Sequence, residues 1–321
     1  MRLWGSLVFL ACVCTCLAQS HVRFVVTGDD RWDTRAPRPG LDENGVNVTG
    51  FGRVTSAIIK EKPDVLLLNG DLVGGGKTDE EESSQFDTWL KTIQPVYDAG
   101  IKVLTIRGNH EMHCPHPSEV WRKAMSGTHA NPGGGPVGEE DMTYAFTFKN
   151  VLFLGLDEFQ GPDLGVNQAW LDGVLKAPHA PHVFAFAHKM AYFSGNHTDG
   201  LDTVPAVRDP LMKSLAAAGA RAVFFGHDHL YDHTSAKLAD WSEDQAIHQF
   251  VIGTAGAPFV KGKPQPATDG VWTLGHLGHV ERQLGYAVVD IDGANVKIVY
   301  KTETSPGVFE VADTFSYAVK G

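Results

Sequence analysis

Short apolar runs alternate with amphipathic stretches along most of this chain, and the runs end in a restricted set of polar residues. Phe24-Val25-Val26-Thr27 leads into Gly28-Asp29. Val65-Leu66-Leu67-Leu68 leads into Asn69-Gly70-Asp71. Val103-Leu104-Thr105-Ile106 precedes Gly108-Asn109-His110-Glu111. Val183 to Ala187 runs into His188, and Arg221 to Phe225 into Gly226-His227-Asp228-His229. Apolar runs of this length, bounded by Gly and polar residues, predict buried strands. Helical spacing predicts helices over 51–60, 81–93 (closed by Pro95), 118–126, 167–176 and 205–218, the last ended by Gly219. A Gly/Pro loop at 131–138 precedes two strands, 143–148 and 151–156. The remainder turns to β at 249–252, 286–289, 296–300 and 308–311, with Asp292-Gly293 as a hairpin turn. This alternation predicts one mixed α/β domain over 21–321 with an antiparallel β tail.

Residues 1–20 have a different character. Arg2, an apolar stretch over 3–17 and Ala18 read as a secretory signal. The stretch is shorter than the roughly 20 residues of a spanning helix, and no other segment reads as a membrane span. A secreted or extracytoplasmic protein is the expectation. Cys12, Cys14 and Cys16 would leave with the signal, so Cys114 stands alone without a disulfide partner. The formal charge of −11, with no long basic run, argues against a protein that coats nucleic acid.

The polar residues at the strand ends bring the chemistry. Open α/β folds place their sites at the carboxyl ends of strands, so five such ends predict a ligand cluster at one sheet edge. Asp, Asn and His without Cys suit a divalent ion such as Mn, Fe or Zn rather than a structural zinc cluster. Two ions close together need a shared carboxylate, and Asp71, after the most apolar run, is the natural bridge. His227 and His229 lie two apart, so in extended chain each could reach one ion. Gly74-Gly75-Gly76-Lys77 lacks the spacing of a phosphate-binding P-loop.

The ordered series Gly28-Asp29, Gly70-Asp71, Gly108-Asn109-His110-Glu111, His188 and Gly226-His227-Asp228-His229 resembles the calcineurin-like metallophosphoesterases over nearly all of residues 21–321. The resemblance implies a four-layer α/β/β/α sandwich of two mixed sheets flanked by helices, and two divalent ions. Asp29, Asp71 and His229 would hold one ion; Asp71, Asn109, His188 and His227 would hold the other. His110 matches the catalytic histidine of the family. The stretch from Gln168-Ala169-Trp170-Leu171 to the His-Asp-His motif looks most like the purple acid phosphatase branch, where a second pocket histidine follows the fourth motif. His197, nine residues after His188, is the match, with a solvated loop histidine as the alternative. Asn47-Val48-Thr49 and Asn196-His197-Thr198 are sequons. Glycan on Asn196 would crowd His197, which favours Asn47.

The pattern departs in two places. The common first motif is Asp-x-His, yet position 31 is Arg, which stays protonated and cannot be a ligand. Arg31 would either fork onto a phosphate oxygen or pair with Asp30 or Asp33. Asp30 is the alternative to Asp29 as ligand. Position 74, where purple acid phosphatases carry a tyrosinate, is Gly, which argues against a purple iron enzyme. The expected function is hydrolysis of a phosphate ester, of a small molecule or a phosphorylated substrate, with monoesters favoured. A phosphodiesterase and a catalytically weakened metal- and phosphate-binding protein are the rival readings.

Overall fold

The computed structural model describes residues 21–32 and 44–319, so the expected signal segment and Asp33 lie outside the described residues. In chain order the strands are β1 (Val22–Thr27), β2 (Val65–Leu68), β3 (Lys102–Thr105), β4 (Tyr144–Phe148), β5 (Val151–Gly155), β6 (His182–Phe186), β7 (Ala222–Phe225), β8 (Leu230–Lys237), β9 (Ile247–Ile252), β10 (Thr273–Glu281), β11 (Gly285–Asp292), β12 (Asn295–Ser305) and β13 (Val308–Ala318). The α-helices are α1 (Val48–Glu61), α2 (Asp79–Asp98), α3 (Pro117–Ala124), α4 (Gln168–Lys176) and α5 (Pro205–Ala217).

Two mixed sheets form, in the orders β13-β12-β11-β1-β2-β3 and β10-β8-β9-β7-β6-β5-β4. β1, β2 and β3 run parallel in the first. β5, β6, β7 and β9 run parallel in the second. The inner faces pack on one another through rings. Phe24 of β1 meets Phe153, Phe184 and Phe224 of the second sheet edge-on, with centroids 4.9–6.0 Å apart. Residues of period two on the other faces, such as Val25, Leu66 and Val103, pack under α1, α2 and α3. Leu152, Ala185 and Val223 pack under α4 and α5. The result is the four-layer α/β/β/α sandwich that the resemblance implies. Both sets of parallel strands end on the same edge, where the polar motifs follow.

Three details differ from the sequence reading. α2 runs past Pro95 to Asp98. The proline removes one helical donor, but burial of Ile93 and Val96 holds the last turn, and the ladder resumes from Ala99 N–H to the Pro95 carbonyl at 3.1 Å. β8 and β10 were not legible, because Leu230–Lys237 and Thr273–Glu281 are polar and carry no clean alternation. α1 begins at Val48, and Asn47 is its N-cap, its Oδ1 accepting from Gly50 N–H at 2.8 Å. The Asn47 Nδ2 donates to the Gly256 carbonyl at 2.6 Å, so the side chain expected to carry glycan is committed to the fold. The hairpin at Asp292-Gly293 forms, with Asp292 opposite Asn295.

Candidate metal centre

Three of the expected ligands sit in left-handed backbone: Asp29 (φ 58°), Asp71 (φ 53°) and His227 (φ 69°). Such conformations cost non-glycine residues about 1–3 kcal/mol and persist only where the surroundings fix them. The fixing bonds are visible. Asp29 N–H reaches the Gly70 carbonyl at 3.0 Å. The Asp29 carboxylate takes the His227 N–H at 3.1–3.2 Å. Asp71 N–H donates to Glu111 at 3.0 Å. The turns after β1, β2 and β7 thus lock one another and aim their side chains at a common point.

Asp71 lies at that point, 1% exposed. Its Oδ1 accepts the His110 N–H at 3.0 Å and stands 3.3 Å from His188 Nε2. His188 Nε2 is in turn 3.1 Å from Asn109 Oδ1. His188 Nδ1 donates to the Asn69 carbonyl at 2.7 Å, so the ring carries its proton there and Nε2 is a lone pair. Burial pushes the His188 pKa down to about 3, which keeps the ring neutral. Three acceptor atoms therefore converge with no proton between them, an arrangement that fits a cation. The His227 ring lies 5.1 Å from His188. Its Nε2 is held by Asp199 at 2.9 Å, which leaves Nδ1 with the lone pair. Asp29, Asp71 and His188 bring three potential ligand atoms within 4.8 Å of one another.

The Oδ2 side of Asp71 is built differently. Arg31 Nε donates to Oδ2 at 3.0 Å, and its terminal nitrogen approaches His229 Nε2 at 3.3 Å. His229 Nδ1 donates to the Pro258 carbonyl at 2.7 Å, so its Nε2 is also a lone pair, 3.5 Å from Asp29 Oδ1. This edge of the guanidinium is thus committed to Asp71 and His229 rather than forked toward solvent. Burial would raise the Asp71 carboxyl, but the positive charge facing it, permanent in Arg31, holds it well below the ordinary carboxylate range. Burial and then Asp71 push Asp29 well above that range. Asp30, the alternative ligand, is fully buried beside the Trp89 indole, and burial, then Glu111, raise its pKa well above normal. Asp29, not Asp30, faces the cluster.

His110 donates from Nδ1 to the Gly74 carbonyl at 2.7 Å, placing Nε2 3.9 Å from Asp71 Oδ2. The His113 ring packs on it at 4.8 Å. A Cβ at Gly74 would lie 2.5 Å from the Trp32 carbonyl oxygen, so no side chain fits where a tyrosinate would stand. His197 stacks on His227 at 4.1 Å, its Nδ1 2.7 Å from Asp228 Oδ1. The structure thus brings together Asp29, Arg31, Asp71, Asn109, His110, His188, His197, His227 and His229. Cys114 is buried in the core under α2 and α3.

Several supporting residues were not singled out from sequence. Glu111 accepts four N–H groups, from Asp71, Leu72, Val73 and Gly108, at 2.6–3.0 Å, and so ties the β2 loop to the β3 loop. Its place in the Asn-His-Glu triplet was the one signal available. Asp228 holds the Ser194 hydroxyl and the Asn196 and His197 amides. Glu158 accepts the His188 and Lys189 amides at 2.9 and 2.7 Å. Asp199 bridges His227 and Lys189, and their bonds lower its pKa. Arg107 and Asp157 form a fully buried two-point ion pair between the ends of β3 and β5.

The model of the calcineurin-like phosphoesterase family matches residues 44–231. Mouse serine/threonine-protein phosphatase CPPED1 is 27% identical over 216 residues, which cover 62% of this chain and 64% of that protein. The purple acid phosphatase PPD1 from yellow lupin (Lupinus luteus) seeds shares the fold at a TM-score of 0.67 and 18% identity, over 94% of this chain and 54% of that one. GAP50, the anchor in the inner membrane complex of Plasmodium, does so at a TM-score of 0.64 and 14% identity, over 94% and 90%.

Proposed function

Because the chain belongs to the calcineurin-like phosphoesterase family, we propose that it is a secreted, metal-dependent phosphoric ester hydrolase acting on monoesters. The observation that carries the reading is the convergence of Asn109 Oδ1 and Asp71 Oδ1 on the unprotonated His188 Nε2, at 3.1 and 3.3 Å. Asp71, Asn109, His188 and His227 would hold the ion. A divalent ion there supplies Lewis-acid polarisation of a phosphoryl oxygen and a lowered water pKa.

The chain's own groups do the rest. His110 keeps its Nδ1 proton on the Gly74 carbonyl, so its Nε2 is the atom at which a proton is received and handed on at the leaving oxygen. His197, fixed by Asp228 and stacked on His227, lines the same space. Glu111 and Asp228 hold the loops, so the ligands need not reorganise during the reaction.

Monoesters are favoured by the likeness of residues 168–229 to the acid phosphatase branch. The test is hydrolysis of paired chromogenic mono- and diesters by metal-stripped protein given Mn, Zn or Fe, with Asp71→Asn as blank. Metal-dependent monoester turnover supports the reading, and a preference for the diester replaces it with a phosphodiesterase. The weakened binding protein is favoured by one observation, the seating of Arg31 on Asp71. Phosphate binding without turnover under any metal would establish it. Secretion rests on residues 1–20 and is tested by N-terminal sequencing of exported protein, expected to begin after Ala18.

A further inference from the structure

The two sides of Asp71 differ in what they offer an ion. On the Oδ1 side Asp71 takes one backbone N–H, that of His110, and no side-chain cation, while His188 Nε2 and Asn109 Oδ1 stand beside it as acceptors. On the Oδ2 side the corresponding lone pairs, Asp71 Oδ2 and His229 Nε2, already face N–H groups of Arg31 at 3.0 and 3.3 Å. His229 has spent its proton on the Pro258 carbonyl, so between it and Asp71 the guanidinium is the donor. An ion needs both atoms at about 2.0–2.2 Å, and it would overlap nitrogens that close. Arg31 is not a surface side chain that happens to lean in. It is 8% exposed, its own N–H bonds the Asp71 carbonyl at 3.2 Å, and its backbone pairs with Val46. Its charge also acts on Asp29, Asp71 and His229 together, the three residues expected to share that ion.

We infer that the Arg31 guanidinium is a built-in cation standing in the first of two metal positions, so that the chain binds one divalent ion, on the Asp71 Oδ1 side. This rests on the metal-dependent reading above and adds the number and place of the ions. A guanidinium is always charged and presents its donors in a fixed plane. It therefore neutralises the buried Asp71 carboxylate and acts on Asp29 by its charge, without demanding the histidine that position 31 lacks. The centre would then pair one exchangeable ion with one permanent cation.

The experiment counts ions and does not depend on turnover. Metal-stripped protein is loaded with Mn(II), freed of excess, and assayed by elemental analysis and by electron paramagnetic resonance. The expected result is one Mn per chain with the six-line signal of an isolated ion. Arg31→His restores a ligand and removes the cation, so it should bind two, with an exchange-coupled spectrum. Arg31→Gln, which removes only the charge, guards against a folding defect in the histidine variant; it should also admit a second ion, more weakly held. Circular dichroism checks both variants. Two ions in the wild type overturn this inference and leave the phosphoesterase reading standing. One ion in the wild type and in both folded variants also overturns it, since Arg31 would then not be what limits the count. No ion in the wild type removes the metal-dependent reading itself.

Discussion

The two oxygens of Asp71 make a controlled comparison within one side chain. Oδ1 has His188 beside it, and the Oδ2 side reaches His229 through Arg31; each of these histidines ties its Nδ1 to a backbone carbonyl, His188 to Asn69 and His229 to Pro258. Each histidine is buried and held neutral, His188 by burial and His229 by burial and Arg31. The ligand inventory is thus nearly symmetric. The asymmetry comes from position 31, which sends a guanidinium to the Oδ2 side, while the Oδ1 side meets only the His110 backbone N–H and no side-chain cation. A complete set of ligand residue types does not by itself make a metal position. A neighbour that supplies its own positive charge can claim the same lone pairs.

The harshest test removes the shared group. Asp71→Asn should lower phosphoester turnover by about a thousandfold, the upper range for losing one preorganised electrostatic group. Turnover within tenfold of wild type would discard Asp71 as the pivot of the comparison. The next test separates the two sides. His188→Ala should empty the centre of its ion and cost about a hundredfold or more in rate, whereas His229→Ala should leave the ion count unchanged. Equal loss of metal in the two variants, read by elemental analysis, would erase the distinction between Oδ1 and Oδ2.

A smaller effect is expected from the scaffold beneath both sides. Glu111→Gln turns an amide toward four N–H donors. It should weaken metal binding about ten- to hundredfold, as loss of groups that orient ligands does, and lower stability by about 1–3 kcal/mol. Isothermal titration with Mn(II) and denaturant unfolding read the two quantities. A variant equal to wild type in both would mean that the left-handed turn at Asp71 holds itself.

The smallest effect concerns pH. Burial lowers the pKa of His110 to about 4 and of His188 and His248 to about 3. Their unfolded value is about 6.5, so the unfolded chain binds more protons below that pH. The stability they contribute is complete above about 6.5 and is lost as pH falls toward 3. Melting of the metal-free protein should therefore decline through this window, and His248→Gln should flatten the slope without touching the centre. An unchanged slope would remove His248 from the account. Mn(II) should add about 2.7 kcal/mol at a hundredfold excess over its Kd near neutral pH. That gain should fade on acidification as protons compete for His188 Nε2.

Much of the fold, and which polar residues would gather at one sheet edge, was legible along the chain. Strand-length apolar runs and their terminal Asp, Asn and His residues are local features, and the family order of the five motifs fixed their grouping. The strand β8 was not legible because its polar residues are buried by partners remote in sequence, and β10 because most of its residues stay exposed or half-buried. Asp232, for example, is held by Gln265, and His233 by Asp313. Pro95 misled at the end of α2, since tertiary burial outweighed a local breaker. The sequence by itself determined the layered α/β architecture, the edge on which the site forms and the residues that gather there, because periodicity and strand-end chemistry act over a few neighbouring positions. Only the tertiary structure decided the rest. It put Arg31 against Asp71, 40 residues away, and His229, 198 residues away. It also made Asn47 a helix cap and set Asp199 on His227. Each of these depends on which lone pair meets which proton across the fold, and hydrogen-bond geometry of that kind is settled only when distant loops lock together.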